Sequence, residues 1–228
     1  MEKKFNVIPA EECTLDNLKR ASAHGSPVYV STHMTGKLLG VPAISTSVLA
    51  NPICKARAAV PGSICAHCFA QSTVSRYEAL RDHVDDNYKV LNARDLLPEE
   101  LPVINSDICR LEAFGDLASV TQARNYIRIA ERSPWCTFTL WTKNPEFMDQ
   151  AIKALGKPAN LICILSSFHL NRVDDASKYP WVDHVFTVYD AETIEREGVE
   201  INCGARSCRT CMQCYKHGTA FHINEKLK

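Results

Sequence analysis

The chain has 228 residues, with 26 basic and 26 acidic side chains, 46% hydrophobic residues and eleven cysteines. Zero formal charge excludes a protein that coats nucleic acid through a broad basic field, and no apolar run approaches the roughly 20 residues needed to cross a bilayer. The opening MEKKFNVIPAEEC lacks the apolar core of a secretory signal, so a cytoplasmic protein without a membrane partner is expected, built as a single domain over 1–228.

SPVYVST at 26–32 is rich in β-branched and aromatic residues and predicts the first strand. The stretch after it is punctuated by Pro42, Pro52, Pro61 and Gly62 and reads as a loop. From about 70 to 97 the pattern is helical, with Tyr77, Leu80, Val84, Tyr88 and Leu91 at spacings of three and four. Strand and helix then alternate. ICRLEAF at 108–114 predicts a strand, and 119–133 a helix capped by Ser119. CTFTLWT at 136–142 predicts a strand, and 144–155 a helix with Pro145 in its first turn. LICILSS at 161–167 is apolar enough for burial on both faces. A short helical piece at 173–178, a strand HVFTVYD at 184–190, a helical turn AETIEREG and a sixth strand VEIN at 199–202 complete the series. Alternating strands and helices imply a parallel sheet covered by helices. Periodicity leaves two α/β architectures open, a doubly wound sheet and a partial (β/α)6 barrel, with a cysteine-rich C-terminal segment at 203–228.

In either architecture functional residues gather at the carboxyl ends of strands. The predicted strands end in Thr32, His33 and Met34; in Glu112, Gly115 and Asp116; in Thr142, Lys143 and Asn144; in Ser166, Ser167 and His169; and in Tyr189 and Asp190. Both cysteine groups are expected to converge on that same edge.

Clustered cysteines in a reducing compartment point to metal rather than to disulfides. Cys54, Cys65 and Cys68 form one group, and Cys203, Cys208, Cys211 and Cys214, spaced C-x4-C-x2-C-x2-C, form another. Evenly spaced thiolates suit a 4Fe-4S cluster, which spreads its ligands over several irons; zinc, with His217 or His222 as a substitute ligand, is the alternative for the second group. Three thiols alone leave one iron of a cluster open. A closed zinc site from the same three plus His67 or His33 is the competing reading. Cys13, Cys109, Cys136 and Cys163 stand apart, three of them in or beside apolar runs as small buried hydrophobes. Asp116 reads either as a cap for the helix near Ser119 or as a site carboxylate. Lys143 reads as a loop charge or a ligand contact. The tail carries Arg206, Arg209, Lys216, Lys226 and Lys228 against Glu225, a set that either meets nucleic-acid phosphates or balances anionic thiolates.

NPICKARAAVPGSICAHCFA, RLEAFGDLAS, FTLWTKNP and the cysteine-rich end resemble the phage-encoded gene-product-88-like family, over about 45–215. The arrangement is also similar, more distantly, to radical S-adenosylmethionine (SAM) enzymes, although ten residues separate the first two cysteines here instead of that superfamily's usual three. That resemblance implies a partial (β/α)6 barrel, with Cys54, Cys65 and Cys68 holding a cluster whose open iron takes the amino and carboxylate groups of SAM. It implies His67 against the adenine, Gly115 and Asp116 around the SAM amine, and Lys143 and Ser166 facing the same pocket; Glu112, a carboxylate within a strand that needs a partner, is counted with these cofactor-binding residues. The activity so implied is radical chemistry on an unknown small molecule. The other classes in play are a non-catalytic iron–sulfur or redox-sensing protein acting on a host macromolecule, and a zinc-stabilised nucleic-acid-binding module.

Overall fold

The computed structural model describes residues 25–204, 207–218 and 221–227. Cys13, Arg206 and Lys228 lie outside them. Six parallel strands form one sheet in the order β1-β2-β3-β4-β5-β6: β1 Ala43–Ile44, β2 Ile108–Leu111, β3 Thr137–Thr142, β4 Leu161–Ser166, β5 His184–Tyr189 and β6 His222–Lys226. The order never reverses, so the sheet has no topological switch point and the doubly wound alternative is overturned.

The helices are α1 Pro52–Ala58, α2 Phe69–Arg76, α3 Glu78–Ala93, α4 Val120–Arg132, α5 Pro145–Leu155, α6 Ala191–Glu197 and the single turn α7 Cys208–Cys211. Local chemistry sets their starts. Ser119 Oγ accepts from Gln122 N at 3.1 Å, Asp190 Oδ1 accepts from Thr193 N at 2.8 Å, and Pro145 takes the first position of α5. The helix expected over 70–97 is two, broken at Tyr77, whose backbone is extended (φ −110°, ψ 104°). No helix forms at 173–178. Among the described residues no helix is long and apolar enough to cross a membrane.

Alternation along the strands separates two faces. Cys109, Leu111, Phe138, Leu140, Leu161 and Cys163 point to the helices, where Leu91, Tyr126, Ile129 and Met148 complete the main core. Burying each such side chain stabilises the fold by about 1.5–3 kcal/mol. Ile108, Arg110, Trp141, Ile162, Ile164, Phe186 and Ile223 occupy the other face. Among the described residues no helix of the main core packs on that face; Cys203, Cys208, Met212, Cys214 and Tyr215 do. Lys37, in the turn ahead of β1, reaches Glu225 on β6 at 2.6 Å, so an ion pair links the two edges of the sheet.

Both edge strands depart from the sequence expectation. The 26–32 stretch makes only an isolated antiparallel bridge, Ser31 to Ala43. Its backbone is satisfied by a helix side chain instead: Tyr29 N donates to Asn87 Oδ1 at 2.8 Å, and Asn87 Nδ2 donates to Tyr29 O at 2.9 Å. The 199–202 stretch flanks β6 and is not a strand; Asn202 N and Cys203 N both donate to Asn224 O, at 3.2 and 3.0 Å. The sixth strand is therefore HINEK, after the cysteines, where only Ile223 is fully buried.

Candidate metal and cofactor site

The loop expected to carry the first cysteines is largely helical. Asn51 Oδ1 accepts from Ile53 N at 2.9 Å and caps α1, with Pro52 in its first turn, so Cys54 sits on a helix. Ser63 Oγ accepts from Ala66 N at 3.1 Å and caps a short 3-10 turn, Ile64–His67, which brings Cys65 and Cys68 to one side. This turn is fastened over the end of β4: Ile64 N donates to Phe168 O at 3.0 Å, and Ser63 bridges to His169. All three cysteines are half-buried. Burial pushes the Cys54 thiol far up, with Asp116, Glu112, Cys65 and Cys68 adding to the effect. Burial also raises Cys65, but Lys143 and Arg57 hold it down. The three thiols thus sense one another and two cations at the carboxyl edge of the sheet.

The EAFGD turn after β2 is a polar lattice. Glu112 has left-handed backbone (φ 57°), which turns its carboxylate toward α4. There it accepts from Gln122 Nε2 and Tyr126 Oη, each at 2.5 Å, from Thr46 Oγ1 at 2.9 Å and from Thr46 N at 3.1 Å. Burial pushes its carboxyl up to about 7 against the pull of these donors. Gly115 lies so close that a Cβ would stand 2.4 Å from Thr46 O and 2.5 Å from Glu112 Oε2. Asp116 accepts from Thr142 Oγ1 at 2.6 Å and from Lys143 N at 3.1 Å, and faces Arg57 Nη1 at 3.8 Å. It clamps β2, β3 and α1 together. The capping role for Asp116 at the helix after Ser119 does not hold, because Ser119 supplies that cap.

The expected small-molecule residues therefore divide. Asp116 and Lys143 stand beside the cysteines. His67 is exposed on the cysteine turn itself. Glu112 and Gly115 belong to the wall behind Asp116. Ser166 is buried at the end of β4, on the face shared with Ile162 and Ile164. Ser167 bonds Thr187 at 2.9 Å, and Asp190 caps α6, so those two are committed to the fold.

Arg57 was not singled out by sequence reasoning. Its Nη2 donates to Lys143 O at 3.1 Å and its guanidinium lies 5.4 Å from the Phe168 ring centre, while its buried Nη1 donates no hydrogen bond. Nothing in KARAAV marks it, since its position depends on how α1 meets β3 and β4.

The second cysteine group does not converge on this edge. A segment that precedes a parallel strand must return to the strand starts, and Cys203–Cys214 precedes β6. Cys208 and Cys214 pack with Val41, Tyr215 and Ile108, the first residue of β2. Cys203 and Cys214 pack with Ile162, Phe186 and Phe221. His184 Nε2, at the start of β5, lies 3.1 Å from Lys216 O. Of the basic tail, Arg209 is paired with Asp107. Among the described residues no three His, Cys, Asp or Glu side chains stand close enough to hold a single metal ion. A zinc ion with 2.3 Å bonds needs thiolate sulfurs about 3.8 Å apart, whereas a four-iron cluster separates its ligands onto different irons and accepts a wider set.

The comparison with curated proteins and the comparison with solved structures each find no match. The family model described as gene product 88 matches residues 12–226. That span takes in both cysteine groups, the EAFGD turn and all six strands, and the chain belongs to the gene product 88 family.

Proposed function

We propose that this chain is an iron–sulfur protein built on a radical-SAM-like partial (β/α)6 barrel, with Cys54, Cys65 and Cys68 as ligands of a 4Fe-4S cluster whose fourth iron is open to SAM. The observation that carries the reading is the company these thiols keep. Three half-buried thiols share the carboxyl edge of a consecutively ordered parallel sheet with Arg57 and Lys143, and the buried Nη1 of Arg57 donates no hydrogen bond, facing Asp116 Oδ2 only at 3.8 Å. Buried donors are seldom left unsatisfied, and a ligand carboxylate is the group such a guanidinium takes. Asp116, which Thr142 Oγ1 and Lys143 N already hold, is the carboxylate beside these thiols for an amino group.

Such a cluster, held by Cys54, Cys65 and Cys68, would supply the electron for reductive cleavage of SAM. The chain's own residues orient and enclose. Arg57 and Lys143 offset the thiolate charge, Phe168 and the 3-10 turn shield the edge, and the Glu112 lattice fixes the turn that carries Asp116.

A second reading, a redox-sensing iron–sulfur protein without SAM chemistry, is favoured by one observation: the Glu112 carboxylate is already engaged by four internal donors. Electron paramagnetic resonance of the reduced, anaerobically reconstituted protein separates the two. A changed cluster spectrum on adding SAM supports the first; an unchanged one, with iron present, leaves the second. Protein that takes up no iron and sulfide refutes both.

A further inference from the structure

We propose that Cys203, Cys208, Cys211 and Cys214 hold a second, fully cysteine-ligated 4Fe-4S cluster on the sheet face opposite the main core, with Arg110 and Lys37 as its charge-balancing residues.

Arg110 carries the argument. It sits in the middle of β2 with its guanidinium 3.8 Å from the ring centre of Trp141, and its Nε is buried without a hydrogen-bond acceptor. On that face Cys208 and Cys214 share a hydrophobic cluster with Ile108 and Tyr215, and Cys203 and Cys214 share one with Trp141, the ring over which Arg110 lies. A buried guanidinium without an anion costs several kcal/mol, and a fold keeps one where an anion arrives. The groups facing it that can become anionic together are the cysteines. Four thiolates on a cluster carry a net negative charge, which a buried cation stabilises.

Lys37 supplies the second charge. Its Nζ lies 3.6 Å from Cys203 Sγ and 3.4 Å from Cys203 O, while Glu225 holds it at 2.6 Å from the other side. The lysine is thereby fixed beside the sulfur. Cys203, Cys208 and Cys214 are half-buried and Cys211 is exposed, beside a cavity of about 320 Å³ that Lys216, His217 and Phe221 also line. One corner of the site thus opens to solvent. The C-x4-C-x2-C-x2-C spacing suits a cluster, which takes its four thiolates on different irons.

This site shares its chemistry with the proposed function but none of its ligands, so the two fail separately. The experiment is anaerobic reconstitution with iron and sulfide of the whole chain and two variants, Cys54→Ala/Cys65→Ala/Cys68→Ala and Cys208→Ala/Cys211→Ala/Cys214→Ala. The parent is expected to hold about eight irons and eight sulfides, and each variant about four of each. Four irons in the parent and none in the first variant would overturn the second cluster and leave the first standing. Four in the parent, retained by the first variant and absent from the second, would support the second cluster and overturn the first. One zinc per chain in the first variant, with no iron, would overturn the cluster assignment. Should the second variant fail to fold, Arg110→Met and Arg110→Lys decide. In the background of the first variant, Arg110→Met is expected to cut the reducible fraction at a fixed potential at least threefold, with Arg110→Lys restoring most of it. Equal behaviour of both with the parent residue would overturn the role given to Arg110.

Discussion

Replacing Gly115 by alanine pits two effects of opposite sign. Gly115 has no positive φ, so alanine fits its backbone, and restricting the unfolded chain would stabilise the protein by about 0.4–1 kcal/mol. The new Cβ, however, would stand 2.4 Å from Thr46 O, 2.5 Å from Glu112 Oε2 and 2.7 Å from Thr46 Oγ1. Thr46 O is backbone in a fully buried residue, so the turn must move rather than a side chain. Overpacking of this kind costs about 1–3 kcal/mol, and pulling Glu112 off Thr46 leaves a buried acceptor short at a further cost of about 1–3 kcal/mol. The net expectation is destabilisation by about 2–4 kcal/mol, which lowers the melting temperature of a chain this long by roughly 5–15 °C. Urea and thermal unfolding measure it, with Gly204→Ala as control, since nothing lies within 4 Å of a Cβ there. The control should stay within about 0.5 kcal/mol of the parent. Gly115→Ala protein as stable as the parent would refute the close approach and the lattice built on it.

Glu112 makes stability depend on pH. Its carboxyl is raised from 4.5 to about 7, so its contribution is fully present below the unfolded value and lost as pH rises from about 4.5 through about 7. The difference is worth about 3 kcal/mol, and a pH series of urea unfolding should show Glu112→Gln lacking that loss. Asn87→Leu leaves Tyr29 N, Tyr29 O and Ser45 O without their partner, and should cost about 2–4 kcal/mol by urea unfolding. Arg57→Met should weaken SAM binding about tenfold in a spectroscopic titration, compared at equal iron content; equal affinity would remove Arg57 from the site.

Strands β2 to β5 could be read from the sequence because each is a short apolar run. The edges could not. The 26–32 stretch has strand composition, yet the side chain of Asn87, far along the chain, takes its backbone bonds. HINEK buries one face of a polar edge strand and gives almost no apolar signal, whereas VEIN carries the signal without the ladder. That single exchange moved the second cysteine group from the carboxyl edge to the strand starts. The roles of Glu112 and Asp116 were half legible: their position after a strand was visible, but the left-handed turn that aims one at α4 and the other at β3 was not. Nothing in ICRLEAF marks Arg110, because which face of the sheet lies away from the main core is a property of the assembled fold.

The consecutive strand order has a bearing on how the chain is made. Each strand pairs with the one synthesised just before it, so β1 to β5 can assemble in turn as the chain emerges. The final strand is different: it needs the whole return segment through Cys214 before Val185–Tyr189 gains its partners His222–Lys226. A chain terminated before His222 would leave β5 as a bare edge and the cysteine segment unanchored. Such an edge invites pairing with other chains, so premature stops should yield aggregates, not a smaller working protein.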